Sequence, residues 1–140
     1  MNKTKKIVLV EDNIGDVKLI EFVLSSLPVR PELLHFDHGK AFLDHIKDHS
    51  LEDIAVVLLD LNMPVMTGME VLKALRSDEN GKYLPVVILT SSRSHQDIEN
   101  CYKLGANAFV TKPVEFDDFS RSIEAILLFW QEHNVTPLEH

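Results

Sequence analysis

Apolar residues run unbroken through Ile7 to Val10, Val56 to Leu59 and Val86 to Leu89, and a shorter run spans Ala108 to Val110. Continuous apolar stretches of this length describe strands covered on both faces, as in a parallel sheet between two layers of helices. Between them the apolar period lengthens to three or four. Val17, Ile20, Val23, Leu24 and Leu27 line one face of a helix, with Asn13 and Asp16 standing as a capping pair at its start. The pattern predicts strands at about 5–10, 32–36, 55–59, 85–89 and 107–110, alternating with helices at about 14–27, 39–48, 67–78, 94–104 and 115–133. Ser94-x-x-Asp97 reads as a capping box for the fourth helix, and Gly105 as its left-handed terminator. Met63-Pro64 with Gly68 requires a sharp bend after the third strand. Five βα units in succession predict an α/β fold with a doubly wound parallel sheet.

The polar residues that close these runs carry the candidate chemistry. The first run stops at Glu11-Asp12, the second at Asp60, the third at Thr90, and the last leads into Lys112-Pro113. Ligands of open parallel sheets bind outside the carboxyl ends of the strands, so these groups are expected to meet in one place. Carboxylates brought together repel unless a cation sits among them. Magnesium, which favours oxygen ligands and keeps several waters, suits Asp12 and Asp60, with Glu11 holding a water and the backbone carbonyl of Asn62 completing the set. Lys112 and the Thr90 hydroxyl are then placed for the oxygens of a phosphoryl group transferred to Asp60.

Glu11-Asp12, Asp60-Leu61-Asn62-Met63-Pro64 with Gly68, Thr90-Ser91 and Lys112-Pro113 resemble, in order and spacing, the receiver domain of two-component response regulators over nearly the whole chain. That resemblance implies a flavodoxin-like (βα)5 fold with strand order 2-1-3-4-5. It also implies magnesium dependence and phosphoryl transfer from a sensor histidine kinase to Asp60. Glu11 and Asp12 become the acidic pair, Asn62 lends its carbonyl to the metal, Thr90 and Lys112 contact the phosphoryl group, and Phe109 falls at the switch aromatic, without a tyrosine's hydroxyl. Cys101 to Asn107, followed by a fifth helix ending in Phe129-Trp130, resembles more narrowly the single-domain regulators that partner bacterial phytochrome-type kinases.

Composition narrows the alternatives. The length of 140 residues suits one domain, read as a receiver over 1–137, while Leu138-Glu139-His140 looks like the start of an expression tag. The formal net charge of −8 disfavours nucleic acid as a partner, and no apolar run reaches bilayer length. The Lys-rich start precedes too few apolar residues for a secretory signal, so a cytoplasmic location is expected, with no DNA-binding output module. The one cysteine, Cys101, is expected to pack rather than to do redox chemistry, and His45 and His49 read as surface histidines rather than a metal clamp.

Two other functions compete with a phosphorylation switch. A phosphohydrolase with an aspartate nucleophile needs a second acid two residues on, and that position is Asn62. A scaffold independent of phosphorylation would be favoured by missing ligands, and none is missing. Phe116, Phe119, Ile123, Ile126, Leu127 and Trp130 form a stripe that packs the fifth helix on the sheet, leaving Leu128 and Phe129 off it. Those two residues are expected to be covered by a partner surface, with homodimerisation through the face of helix four, strand five and helix five preferred.

Overall fold

The computed structural model describes residues 5–28 and 30–138. The five predicted segments become parallel strands, β1 (Lys6–Val10), β2 (Leu33–Phe36), β3 (Ile54–Leu59), β4 (Val86–Thr90) and β5 (Ala108–Thr111), in the spatial order β2-β1-β3-β4-β5. Helices α1 (Ile14–Ser25), α2 (Gly39–Asp48), α3 (Gly68–Ser77), α4 (His95–Lys103) and α5 (Phe116–Leu128) alternate with them, which is the flavodoxin-like arrangement expected. No helix among the described residues is long and apolar enough to cross a membrane.

Side chains alternate across each strand, so the sheet divides the interior into two cores. Val8, Val10, Val57, Leu59, Val86 and Ile88 pack with Phe42, Leu72 and Leu75, on the side of α2 and α3. Ile7, Leu9, Val56, Leu58, Val87 and Leu89 pack on the other side, with Ile20, Leu24, Ile123 and Leu127 of α1 and α5. Cys101 is fully buried on the first side, and burial with the nearby Asp97 charge pushes its thiol up to about 11, so it packs as an unreactive apolar group.

Local chemistry sets the helix ends, with differences from the sequence reading. The Asn13 carboxamide accepts from the Asp16 N–H (3.1 Å), but the Asp16 carboxylate takes no part in the cap. Ser94 caps α4, yet the expected reciprocal half is absent because the Asp97 carboxylate accepts the Ser92 hydroxyl instead (2.6 Å). A full capping box stands at Thr67 and Glu70 of α3. Gly105 ends α4 with φ +103°. The fifth helix is not continuous to 133: it widens into a π turn, Phe129–His133, closed by the Asn134 N–H on the Phe129 carbonyl. Phe116 also departs from its stripe, because the first turn of α5 overhangs the strand ends; it is 53% exposed and rests on Phe22 of α1 with ring centroids 6.2 Å apart. Leu138, read as tag sequence, packs against the first core, while Glu139 and His140 lie outside the described residues.

The loop after β3 is the tightest part of the frame. The Met66 N–H bonds to the Pro64 carbonyl (2.7 Å), and Val65 between them has φ +68°, a left-handed state rarely taken by a β-branched residue, with its side chain fully in water. The chain then folds back so closely that a Cβ on Gly68 would lie 2.2 Å from the Asp60 carbonyl oxygen and 2.8 Å from the Leu61 Cα. Both obstacles are backbone, so neither can swing aside. Gly68→Ala is therefore expected to destabilise the fold by about 2 kcal/mol, within the usual range for overpacking. Urea unfolding checks this, and a change within experimental error would refute the close approach.

Candidate functional site

Register determines which side chains meet. Val10 pairs with Leu59, so the next residues, Glu11 and Asp60, leave β1 and β3 side by side. The strand order reverses between these two strands, and their loops diverge to open a crevice. Glu11, Asp60 and Lys112 continue the alternation of Ile7-Leu9, Val56-Leu58 and Ala108-Val110, so all three fall on the α1 and α5 side. Thr90 and Phe109 continue the opposite alternation.

The result is a cavity of about 300 Å³ lined by Glu11, Asp12, Asn13, Asp16, Asp60, Asn62, Ser91 and Lys112. One carboxylate oxygen from each of Glu11, Asp12 and Asp60 lies within 4.8 Å of the others, close enough to share a cation. Among the described residues the buried polar side chains are Glu11, Asp60 and Thr90, all drawn from this region. Lys112 Nζ donates to Glu11 Oε1 (2.5 Å) and Asp16 Oδ2 (2.8 Å), and stands 3.9 Å from Asp60 Oδ1. Thr90 does not line the cavity. Its hydroxyl is reached by the Asn62 amide (3.4 Å), and its carbonyl accepts from the Lys112 backbone N–H (2.7 Å). Phe109 is partly buried against the α3 and α4 side.

Asp16 is the residue that sequence reasoning misassigned. Its place in the first turn suggests a capping acid, yet its carboxylate crosses to Lys112. The signal was present in strand parity, which sends Lys112 to the side covered by α1, and in the position of Asp16 one helical turn beyond Asp12. Ser91 at the cavity wall was likewise given no role, whereas Ser92, adjacent to it, turns toward Asp97. His45 and His49 stack at 3.8 Å away from these carboxylates, with the His49 ring on the His45 carbonyl, as surface histidines.

Two unit charges about 4 Å apart interact by about 4 kcal/mol at an effective dielectric near 20, so charge governs this crevice. Burial and the neighbouring Asp60 charge raise the Glu11 carboxyl, against the pull of Lys112, from 4.5 to about 7. Burial works against the Lys112 ammonium, but its bonds to Asp16 and Glu11 and the charges of Glu11 and Asp60 outweigh it, raising its pKa. The acidic groups exceed the single ammonium among them, as in a pocket built to receive a further cation.

A receiver-domain family model, described as response regulator receiver domain, matches residues 7–124. The chain belongs to this family. Receivers are phosphorylated by histidine kinases, bind magnesium or manganese at an acidic pocket, and generally signal rather than catalyse. This receiver is 31% identical over 140 residues to response regulator Rcp1 of Synechocystis sp. strain PCC 6803, covering 97% of its own length and 95% of the relative's. The Mn(2+)-bound structure of Rcp1 superposes with a TM-score of 0.85 at 32% identity, over 95% of this chain and 99% of that one. The phosphorylated cyanobacterial phytochrome response regulator RcpA superposes with a TM-score of 0.89 at 32% identity, over 96% and 99% of the two chains. The receiver domain of the Pseudomonas aeruginosa sensor kinase PA1611, with magnesium in its active-site cleft, gives 0.74 at 27% identity, over 91% and 98%. The receiver therefore resembles single-domain, phytochrome-associated regulators, in agreement with the sequence reading.

The raised Glu11 carboxyl has a consequence for stability. The folded protein holds this proton more tightly than the unfolded chain, so the group's stabilising contribution is complete below about pH 4.5 and lost as pH rises through about 7. Melting temperatures of wild type and Glu11→Gln, measured in chelator between pH 5 and 8, are expected to diverge, wild type losing ground as pH rises. Parallel curves would refute a raised Glu11.

Proposed function

We propose that this receiver takes a phosphoryl group on Asp60 from a phosphohistidine of a sensor kinase, in a reaction that requires magnesium. The observation that carries the reading is the convergence of Glu11, Asp12 and Asp60 within 4.8 Å, with the Lys112 ammonium 3.9 Å from Asp60. Asp12, Asp60 and the Asn62 backbone carbonyl would hold the ion, with Glu11 beside it. When bound, it neutralises charge on the phosphoryl oxygens. An Asp60 carboxylate oxygen attacks phosphorus in line; the new P–O bond replaces the P–N bond, whose electron pair returns to the departing imidazole nitrogen, and that nitrogen takes up a proton. Lys112 and the Thr90 hydroxyl meet the phosphoryl oxygens, and water later hydrolyses the acyl phosphate. Enzymatic character is limited to this self-catalysed transfer and autodephosphorylation.

Thr90 and Phe109 form the switch. Drawing the Thr90 hydroxyl toward a phosphoryl oxygen takes it from Asn62 and opens space on the side where Phe109 packs, remodelling a partner surface. A phytochrome-type kinase is the partner favoured by the similarity to RcpA, and the cytoplasm is the compartment such a kinase would require. Aspartate-nucleophile hydrolysis of external substrates is disfavoured, since Asn62 cannot protonate a leaving group.

Incubated with acetyl phosphate and magnesium, the protein is expected to gain one base-labile phosphoryl group, and Asp60→Asn to gain none. Mass spectrometry checks both. Equal labelling of the variant, or stable labelling of wild type in chelator, would sink the mechanism.

We also propose a homodimer that covers Leu128 and Phe129, which are 43% and 50% exposed at the end of α5; Tyr102 of α4 is exposed as well. Phe129 stands edge-on to the partly buried Trp130 (4.9 Å), so its ring is oriented rather than loose. Leu128→Glu with Phe129→Glu is expected to give a monomer by sedimentation while leaving Asp60 labelling intact. A wild type that stays monomeric at high concentration, phosphorylated or not, would refute the dimer.

A further inference from the structure

Lys112 has three hydrogens, and two are already directed at Glu11 and Asp16. Asp60 Oδ1 stands 3.9 Å from the same nitrogen, beyond hydrogen-bond range. A phosphoryl group on Asp60 would add anionic oxygens that need the ammonium, so the partner that Lys112 keeps decides where the ammonium sits. The two present partners differ in setting. Glu11 is 1% exposed and belongs to the carboxylate cluster with Asp12 and Asp60, so a cation placed there competes with the ammonium for it. The Asp16 side chain is 25% exposed and lies in the first turn of α1, where solvent and the helix dipole both support its charge. Its backbone N–H is held independently by Asn13.

We infer that Asp16 is the positioning residue for Lys112: it retains the ammonium when Glu11 releases it, and so aims it at a phosphoryl group on Asp60. This rests on the phosphoacceptor reading above. Lysine is a point charge on a flexible four-carbon stem, and with Asp16 gone nothing on α1 would fix its end. Asp16 bonds to Lys112 rather than to the acceptor, so its effect on an anion should pass through the lysine.

The sign of the effect separates this role from simple charge. By through-space electrostatics alone, removing a negative group beside an anion site strengthens anion binding. Positioning predicts the opposite. Beryllofluoride, a phosphoryl mimic that binds carboxylates, serves as the probe in saturating magnesium. Asp16→Asn is expected to weaken its binding roughly tenfold, the scale of one hydrogen bond to a charged group. In a Lys112→Ala background, titrated to higher beryllofluoride, Asp16→Asn is expected to cause no loss, the through-space effect alone leaving binding equal or tighter. Tighter or unchanged binding by Asp16→Asn, or an equal loss in the lysine-free background, would overturn the inference. A second readout needs neither ion: in chelator, thermal unfolding of the two single variants and the double variant should show that Asp16 and Lys112 couple, and additive shifts would count against it. If wild type binds no beryllofluoride, the phosphoacceptor reading falls, while this cycle still reports whether Asp16 holds the lysine.

Discussion

Lys112 Nζ stands between carboxylates that arrive on three different elements: Glu11 after β1 at 2.5 Å, Asp16 on α1 at 2.8 Å, and Asp60 after β3 at 3.9 Å. The ammonium lets buried Glu11 and Asp60 lie side by side, yet one positive charge cannot neutralise them and leave Asp12 and Asp16 satisfied as well. The pocket therefore carries an excess of negative charge, which suits a cation with oxygen-binding preferences. Burial first, and the Asp60 charge beside it second, explain why the Glu11 carboxyl is raised rather than lowered despite a hydrogen-bonded lysine.

The pleat of the sheet sorts these groups before any side-chain packing does. Carboxylates and ammonium lie on the α1 and α5 side, whereas Thr90 and Phe109 belong to the other alternation, against the core shared with α3. The chemistry and the proposed switch thus occupy opposite sides of the strand ends, bridged by the Asn62 amide on the Thr90 hydroxyl. The Lys112 backbone N–H on the Thr90 carbonyl joins the two sides as well.

Much of this was legible in the residues themselves. Unbroken apolar runs placed β1, β3, β4 and β5 to within about a residue, and the polar residues closing them named Glu11, Asp60, Thr90 and Lys112. What escaped depends on three-dimensional direction. Asp16 looks like any first-turn acid until the parity of β5 shows that Lys112 turns toward α1. Val65 escaped for another reason: valine carries no sequence mark of a left-handed backbone, and only the demand that the chain return to Gly68 imposes it. Phe116 has the helical spacing of its buried neighbours, but spacing does not say where the sheet beneath a helix stops.

Asp16 and Lys112 lie 96 residues apart in the chain, and this bears on the order in which the protein is built. Synthesis proceeds from the amino terminus, and early parts of a chain begin to organise before later ones exist. Once β1 and β3 have emerged, Glu11 and Asp60 can already be drawn together, while the lysine between them has yet to be made. A sheet of β1 to β4 alone would carry repulsion between Glu11 and Asp60 at its carboxyl edge, which a proton, a cation or the lysine that follows β5 relieves. Docking of the last strand is thereby favoured by charge as well as by apolar contact.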